Sequence, residues 1–393
     1  MRTLTGRGRT LVAAGVAGTG AGWLLDEPAV TAVALFLILL PAIGAITVRR
    51  SRFALGSRRE VSPTRITVGG VADVELIVEN GSRFTTGLLL LEDTVPATLG
   101  SPAHLLLDRI PSGAQRSQRY SVTGFERGRA RIGPLSVVIT DPFGMATVTR
   151  SFASTSGVMV VPEIVSLGSG GATMTPGGHN DTMFRALAAR GDDDLLPREH
   201  RPGDDIRHIH WRATARLGEL MVRREEQAWH AAITIVLDDR ISAHHGVGTS
   251  STFEWAVTAA ASVAMHFLRQ GWRVIVLTTS GRVLVQAQQP SSAAIDHLMQ
   301  AFADIRPIDA AMVPELGLDS DGTAAVVAVL GRLSSEDAQV MGRPVLGFAG
   351  CLLLDPGPEA HLRSQGWRVS CWHRGTSVAE AWSRIAMSAG VPR

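Results

Sequence analysis

The sequence predicts a multi-domain chain: an N-terminal transmembrane helical hairpin, an all-β sandwich, and an α/β domain of Rossmann-like layout. Three observations predict it. Two apolar runs stand within the first 48 residues. Short strand-like segments broken by Gly, Asn and Pro run from Val61 to about Pro162, and strands alternate with helices from Ala231 onward. With 393 residues, 45% of them hydrophobic, the chain has room for two or three domains with real cores. The expected boundaries are 1–59 for the N-terminus and both spans, 60–165 for the sandwich, 166–230 for a linker and an arginine-rich segment, and 231–393 for the α/β domain.

The first apolar run, Leu11 to Leu25 (LVAAGVAGTGAGWLL), is short and rich in glycine. The second, Ala29 to Val48, carries no charge and has the length that crosses a hydrocarbon layer as a helix, about 20 residues. Pro41 is a candidate kink within it. Only the acidic turn Asp26-Glu27-Pro28 lies between the two runs. Arg2, Arg7 and Arg9 precede the first; Arg49, Arg50, Arg52, Arg58 and Arg59 follow the second. Arginines near span ends stay on the cytoplasmic side, and both clusters obey that rule only if the chain goes out and comes straight back. The expectation is a hairpin in the inner membrane, with the soluble domains facing the cytoplasm and the arginines against lipid headgroups rather than nucleic acid. The competing reading is a signal peptide followed by an exported domain. Against it, no A-x-A cleavage site precedes the second span, and export would carry five arginines outward.

Composition removes several chemistries. The formal net charge is +2, so the chain does not resemble a nucleic-acid-coating protein, and every one of its 38 basic residues is arginine. Without lysine there is neither a Walker A phosphate loop nor Schiff-base catalysis. Cys351 and Cys371, the two cysteines, lack CxxC spacing and read as reduced, buried thiols in a reducing compartment. No GxSxG elbow or HExxH pair occurs. The expectation is a protein that is not an enzyme and holds no cofactor, the enzyme alternative being a hydrolase built from His208, His210, Asp204 and Asp205.

Within the β-rich stretch, Asp141-Pro142-Phe143-Gly144 is a turn by its chemistry, because proline presets one dihedral and glycine allows a positive φ. It reads as a sandwich corner closed by Phe143, or else as a binding loop. Leu167 to Asp181, poor in large apolar residues, reads as a flexible linker. The densest segment follows, Gly191 to Gln227. Arg198, Glu199, Arg201, Asp204, Asp205, Arg207, Arg212 and Arg216 crowd around Ile206, Ile209 and Trp211, with a turn at Pro202-Gly203-Asp204 and a short helix ending at Leu217-Gly218. Bidentate Arg–carboxylate pairs hold geometry well. The segment is therefore either an ion-pair lattice between domains or a recognition surface. His208 and His210, two apart, point to nearly opposite sides of a helix, so one metal ion would reach both only in an extended segment.

From Ala231 onward AITIVLDD reads as a buried strand, FEWAVTAAASVAMHFLRQG as a helix, WRVIVLTTSG as the next strand and SSAAIDHLMQAFADI as the next helix. AAVVAVLG, CLLLD and WRVSCWHR read as further strands. Such alternation gives a parallel sheet whose ligands bind at the carboxyl ends of its strands, and Asp238, Asp239 and Ser242 sit at one of those ends.

The segment REHRPGDDIRHIHWRATARLGELMVRREEQ, followed by a strand ending in LDDR, closely resembles the signature of the bacterial family known as domain of unknown function 58. The two early spans and the β-rich region with RGRARIGP and DPFG also match that family's layout, over essentially the whole chain. His200 stands where an aromatic residue is usual. The resemblance implies a von Willebrand factor A-like C-terminal domain. It also implies a setting beside MoxR-type AAA+ ATPases and transglutaminase-like membrane proteins, in assembly or remodelling of envelope or protein complexes. On that resemblance the binding residues are Arg198, Glu199, Arg201, Gly203, Asp204, Asp205, Arg207, His210, Trp211 and Arg216. A metal-ion-dependent adhesion site would hold Mg²⁺ through D-x-S-x-S and oxygen ligands from other loops. Here the motif reads Asp238-Asp239-Arg240-Ile241-Ser242, a degenerate site of Asp238 and Ser242 in which Arg240 replaces the central serine. Gly331-Arg332 stands where an aspartate would be expected. Thr278 and Thr279 are available as the threonine ligand, and Asp238 has Arg240 as an alternative partner.

Overall fold

The structure is a computed structural model, and it describes residues 4–50, 55–83, 85–141, 143–168, 198–199, 214–216, 218–222, 232–310, 323–341 and 348–387. The chain divides into two compact units, Met1–Val161 and Pro162–Arg393.

The first unit begins with two packed antiparallel helices, α1 (Gly6–Leu24) and α2 (Pro28–Arg50). Thr5 caps α1, its Oγ1 accepting from the Gly8 amide at 3.2 Å. Pro28 opens α2, where its missing N–H removes no helical bond. Pro28–Ile46 is long and apolar enough to cross a membrane; α1, among the described residues, does not reach that standard. The glycines that dilute α1 have a packing use instead. Gly8, Gly15 and Gly22 are buried and seven apart, so they share one edge of the helix. A Cβ on Gly15 would stand 2.6 Å from Ile38 Cγ1 and 2.8 Å from the Ala34 carbonyl oxygen, and one on Gly22 would meet Thr31 Oγ1 at 2.5 Å. Only glycine allows this approach.

Ten strands follow: β1 (Leu55–Ser62), β2 (Arg65–Thr67), β3 (Val71–Asn80), β4 (Leu89–Asp93), β5 (Ala103–Leu107), β6 (Gln115–Thr123), β7 (Gly128–Ile132), β8 (Leu135–Thr140), β9 (Thr147–Phe152) and β10 (Ser156–Val161). They form sheets ordered β1-β3-β6, β2-β10-β7 and β5-β4-β8-β9. Alternation in β3 sends Ala72, Val74, Leu76 and Val78 to one face, all fully buried. Leu76 and Val78 pack against Leu89, Leu91, Val137 and Ile139 of the four-stranded sheet. Val74 packs with Ile66, Ile132, Val158 and Val160 of the other. This is sandwich packing, as the periodicity predicts.

A buried ion pair lies inside it. Arg59 donates from Nε and Nη2 to the two oxygens of Asp93 at 2.9 and 2.6 Å, and Tyr120, the chain's single tyrosine, donates its hydroxyl to Asp93 at 2.5 Å. Both charged side chains are buried. Burial and the Asp93 carboxylate push the Tyr120 phenol well above its usual range. A buried pair of this kind is worth little net stability compared with an apolar replacement, whereas each fully buried Leu or Val contributes about 1.5–3 kcal/mol. The apolar face of β3 therefore supplies the stability, and the Arg59–Asp93 pair fixes geometry between β1 and β4.

In the second unit β11 (Arg198–Glu199) pairs antiparallel with β12 (Met221–Val222). The main sheet contains β13 (Ala232–Leu237), β14 (Arg273–Thr278), β15 (Val283–Ala287), β16 (Thr323–Leu330), β17 (Phe348–Leu353) and β18 (Arg368–Cys371), in the order β15-β14-β13-β16-β17-β18. All neighbours are parallel except β14 and β15. Helices α3 (Thr252–Arg269), α4 (Ser292–Asp304), α5 (Ser335–Val340), α6 (Glu359–Ser364) and α7 (Val378–Met387) accompany it. Every side chain of β13 and β17 is buried, the continuous apolar reading expected of central parallel strands. By position in the chain the sheet reads 3-2-1-4-5-6. In that doubly wound order the chain reverses direction between the first and fourth strands, β13 and β16, and ligand crevices open there.

Candidate functional site at the switch point of the sheet

The arginine-rich segment is described only in part. Arg198 and Glu199 lie on β11, opposite Val222 and Met221. Thr214–Arg216 is a helical turn with Arg216 exposed, closed by Gly218 at a φ of 77°, whose amide donates to the Thr214 carbonyl at 2.9 Å. This helical turn stands where the short helix ending at Leu217-Gly218 is expected. Arg201, Gly203, Asp204, Asp205, Arg207, His208, His210, Trp211 and Arg212 lie outside the described residues.

The switch point is fully described. β13 ends at Leu237, and the next three residues, Asp238, Asp239 and Arg240, are almost wholly buried. Arg240 curls back: its Nε donates to Asp238 Oδ1 at 3.0 Å and its Nη2 to Oδ2 at 2.9 Å. Its Nη1 donates to Asp337 at 3.1 Å and Nη2 also to the Arg332 carbonyl at 3.1 Å. The Gly331 amide at the end of β16 donates to Asp238 Oδ2 at 3.1 Å. Burial works against the Arg240 charge, but hydrogen bonds and charge from Asp238 and Asp337 outweigh it, and its pKa rises. The guanidinium is thus fixed on the Asp238 carboxylate. Asp238 thus has the Arg240 partner that the sequence offered it.

The neighbouring carboxylate is held differently. Thr279, just past β14, turns its Oγ1 to Asp238 and Asp239, 3.1 Å from an oxygen of each. Asp239 also accepts from the amide and hydroxyl of Ser280 at 3.2 and 3.0 Å. Ser242, the other residue of the degenerate adhesion motif, is not brought in. It lies exposed in a short 3-10 turn, with its hydroxyl directed to the Ala310 carbonyl. Gly331 explains why no aspartate stands at that position: a Cβ there would be 2.2 Å from the Ala243 carbonyl oxygen. His244 closes the back of the site, with Nε2 3.0 Å from the Asp238 carbonyl, which makes Nε2 the donor, and Nδ1 3.2 Å from Thr252 Oγ1. Burial pushes its pKa down.

Asp337 is the site residue that sequence reasoning missed. It is the third residue of α5 and forms a capping box with Ser334, whose hydroxyl donates to the same carboxylate at 2.9 Å. The Ser334-x-x-Asp337 spacing was the available signal. The DPFG turn also departs from expectation. Phe143 is 58% exposed and closes no corner. The buried Asp141 shapes the turn instead, accepting from the amides of Phe143, Met145 and Ala146 at 3.2, 2.6 and 2.6 Å.

Fold and site together describe a doubly wound α/β domain whose switch point is filled by its own guanidinium. The family model described as "Protein of unknown function DUF58" matches residues 197–338, from the arginine-rich segment through Asp238 and Arg240 to Asp337. That match supports the resemblance read from the signature. No curated protein matches the chain. Among solved structures, the CARDB domain of the PF1109 protein from Pyrococcus furiosus is 14% identical with a TM-score of 0.22, covering 28% of this chain and 90% of that one. The Listeria innocua β-glucosidase in complex with isofagomine is 14% identical with a TM-score of 0.20, covering 28% and 16%. The Pseudomonas fluorescens alkylpurine DNA glycosylase AlkC, bound to DNA containing an abasic site analog, is 16% identical with a TM-score of 0.19, covering 36% and 40%. At these scores the likenesses carry no argument about function.

Proposed function

We propose that this protein is a non-catalytic, membrane-tethered interaction protein. In this reading it docks other proteins, a MoxR-type AAA+ ATPase foremost, during assembly or remodelling of protein complexes. The observation that carries the reading is the Arg240 guanidinium, which occupies the crevice where a doubly wound sheet would bind its ligand. Each of the three nitrogens of that guanidinium donates to Asp238, Asp337 or the Arg332 carbonyl. The 3-2-1-4-5-6 strand order with one antiparallel edge supports a von Willebrand factor A-like domain, a class of binding module. The apolar helix α2 supports an anchor in the inner membrane, and the arginine flanks support soluble units on the cytoplasmic side. Cross-linking and pull-down of the full-length protein from native membranes tests the proposal. Recovery of an AAA+ ATPase is the expected result, and its absence from the cross-linked partners would overturn the partner assignment.

A second reading, an Mg²⁺-dependent adhesion-type module using Asp238 and Ser242, is favoured by one observation. Two buried carboxylates, Asp238 and Asp337, meet on the single guanidinium of Arg240, and a third, Asp239, shares the Thr279 hydroxyl with Asp238. Titrating the purified full-length protein with Mg²⁺ or Mn²⁺ tests it. Neither heat nor a rise in melting temperature is the result that would discard it.

A further inference from the structure

The turn between β8 and β9 is bound to the base of the helical hairpin. The Thr5 amide donates to the Met145 carbonyl at 2.9 Å, and Thr5 Oγ1 lies 2.8 Å from the Gly144 carbonyl. Gly8 of α1 is buried where a Cβ would be 2.3 Å from the Met145 carbonyl oxygen, and a Cβ on Gly44 of α2 would be 2.9 Å from the Asp141 carboxylate. The turn therefore touches both helices at their ends away from the Asp26-Glu27 connection.

Its depth follows from helix geometry. The apolar stretch of α2 ends at Ile46, two residues beyond Gly44. At a rise of about 1.5 Å per residue, the turn sits about 3 Å from the end of the stretch. That level is where a hydrocarbon layer gives way to headgroups. Phe143, at the tip of this turn, is 58% exposed, and Leu88, 51% exposed, precedes β4 on the strand that pairs with β8 beside it. Arg7 and Arg9, exposed on the first turns of α1, flank the same level. An exposed Phe with arginines at a span boundary has the composition of a surface that buries an apolar side chain at the headgroup–acyl boundary. The opposite end of the hairpin carries its counterpart, Trp23, 85% exposed next to the Asp26-Glu27 connection.

We propose that the DPFG turn is a lipid-contacting surface of the β-domain, with Phe143 as its anchor in the interfacial layer beside α1 and α2. This rests on the membrane-tether reading above and adds that the sandwich itself touches the bilayer. The partner is a phospholipid surface, and the exposed Phe143 is continuous with the apolar α2 through the Asp141–Gly44 contact.

Spin labels on the full-length protein in phosphatidylcholine–phosphatidylglycerol nanodiscs test it, read as relaxation by oxygen against a water-soluble nickel chelate. Labels are placed at Phe143→Cys, at Phe36→Cys on the exposed face of α2, and at Ser101→Cys, exposed at the far end of the sandwich strands. The native cysteines do not compete, because Cys351 is buried and the half-buried Cys371 is replaced by serine in all three labelled proteins. Expected are oxygen-dominated relaxation at 36 and 143 and nickel-dominated relaxation at 101. Lipid exposure at 36 with water exposure at 143 would overturn this inference and leave the tether standing. Water exposure at 36 would remove the tether and this inference with it. Phe143→Ser, which removes only an exposed ring, is expected to leave the melting temperature unchanged while lowering retention on vesicles of the same lipids; unchanged retention would also count against the anchor.

Discussion

Arg240 lies across Asp238 like a clasp: two nitrogens of one guanidinium meet the two oxygens of one carboxylate, at 3.0 and 2.9 Å, two residues apart in the chain. Local geometry makes this possible, because Arg240 is also held by the Asp238 carboxylate through its own amide at 3.2 Å. The third group, Asp337, arrives from far along the chain and commits the clasp to the tertiary fold.

Removing the guanidinium leaves the buried carboxylates Asp238 and Asp337 without their cation. Arg240→Ala is expected to destabilise the second unit by about 3 kcal/mol or more, the usual cost of breaking a buried pair. The unit's urea midpoint measures it. Arg240→Ser, which restores a coordinating hydroxyl, is the variant expected to gain a melting-temperature rise with added Mg²⁺.

In the sandwich the two partners of Asp93 separate in magnitude. Tyr120→Phe deletes one hydrogen bond and is expected to cost about 1 kcal/mol. Arg59→Ala strands a buried carboxylate and is expected to cost about 3–5 kcal/mol. Denaturant midpoints of the two variants side by side check the ranking, and equal losses would contradict it.

The hairpin depends on Gly15. Gly15→Val would drive its side chain into Ile38 and the Ala34 carbonyl. Cysteines placed at Gly18 and Ala34, whose Cβ positions lie 3.0 Å apart, need to separate slightly to the about 3.5–4.5 Å of a disulfide, and the bond is expected to form in the native background. It should be lost when Gly15→Val is added, as read on non-reducing gels.

His244 predicts a pH dependence. Burial lowers its folded-state pKa below the unfolded value of 6.5, so the unfolded chain binds the proton more readily. Its contribution is full above pH 6.5 and is lost progressively as pH falls from there toward the folded pKa. Melting temperature against pH should show this slope in the wild type and a shallower one in His244→Gln.

Cys371 is expected to react slowly. Burial, followed by the Glu359 side chain, raises its thiol from 9.0 to about 11. At pH 8 its thiolate fraction is about a hundredfold below that of an unperturbed thiol. Labelling kinetics with a maleimide, compared with the exposed Ser101→Cys thiol, check this.

Much of the architecture was legible because it rests on local pattern. The unbroken apolar run Ala232–Leu237 and the alternation of β3 each specify their burial without distant information. The Asp238–Arg240 pair was legible for the same reason, since its members are two residues apart. Other features depend on groups the chain brings together over long separations. Gly331 gives no hint in sequence that the Ala243 carbonyl approaches its Cα, and Asp93 gives none that Arg59 and Tyr120 converge on it. Phe143 misled because a phenylalanine in a turn reads as core, whereas Asp141 satisfies the turn's amides and leaves the ring outside.

The Arg240 clasp has one consequence beyond stability. A metal ion in such a crevice comes and goes with its concentration outside, and a chelator can strip it. A guanidinium joined to the same backbone as its carboxylate arrives in fixed stoichiometry with every copy translated. The Asp238 charge is therefore compensated without drawing on the cell's divalent ion pool, and chelation leaves that compensation intact.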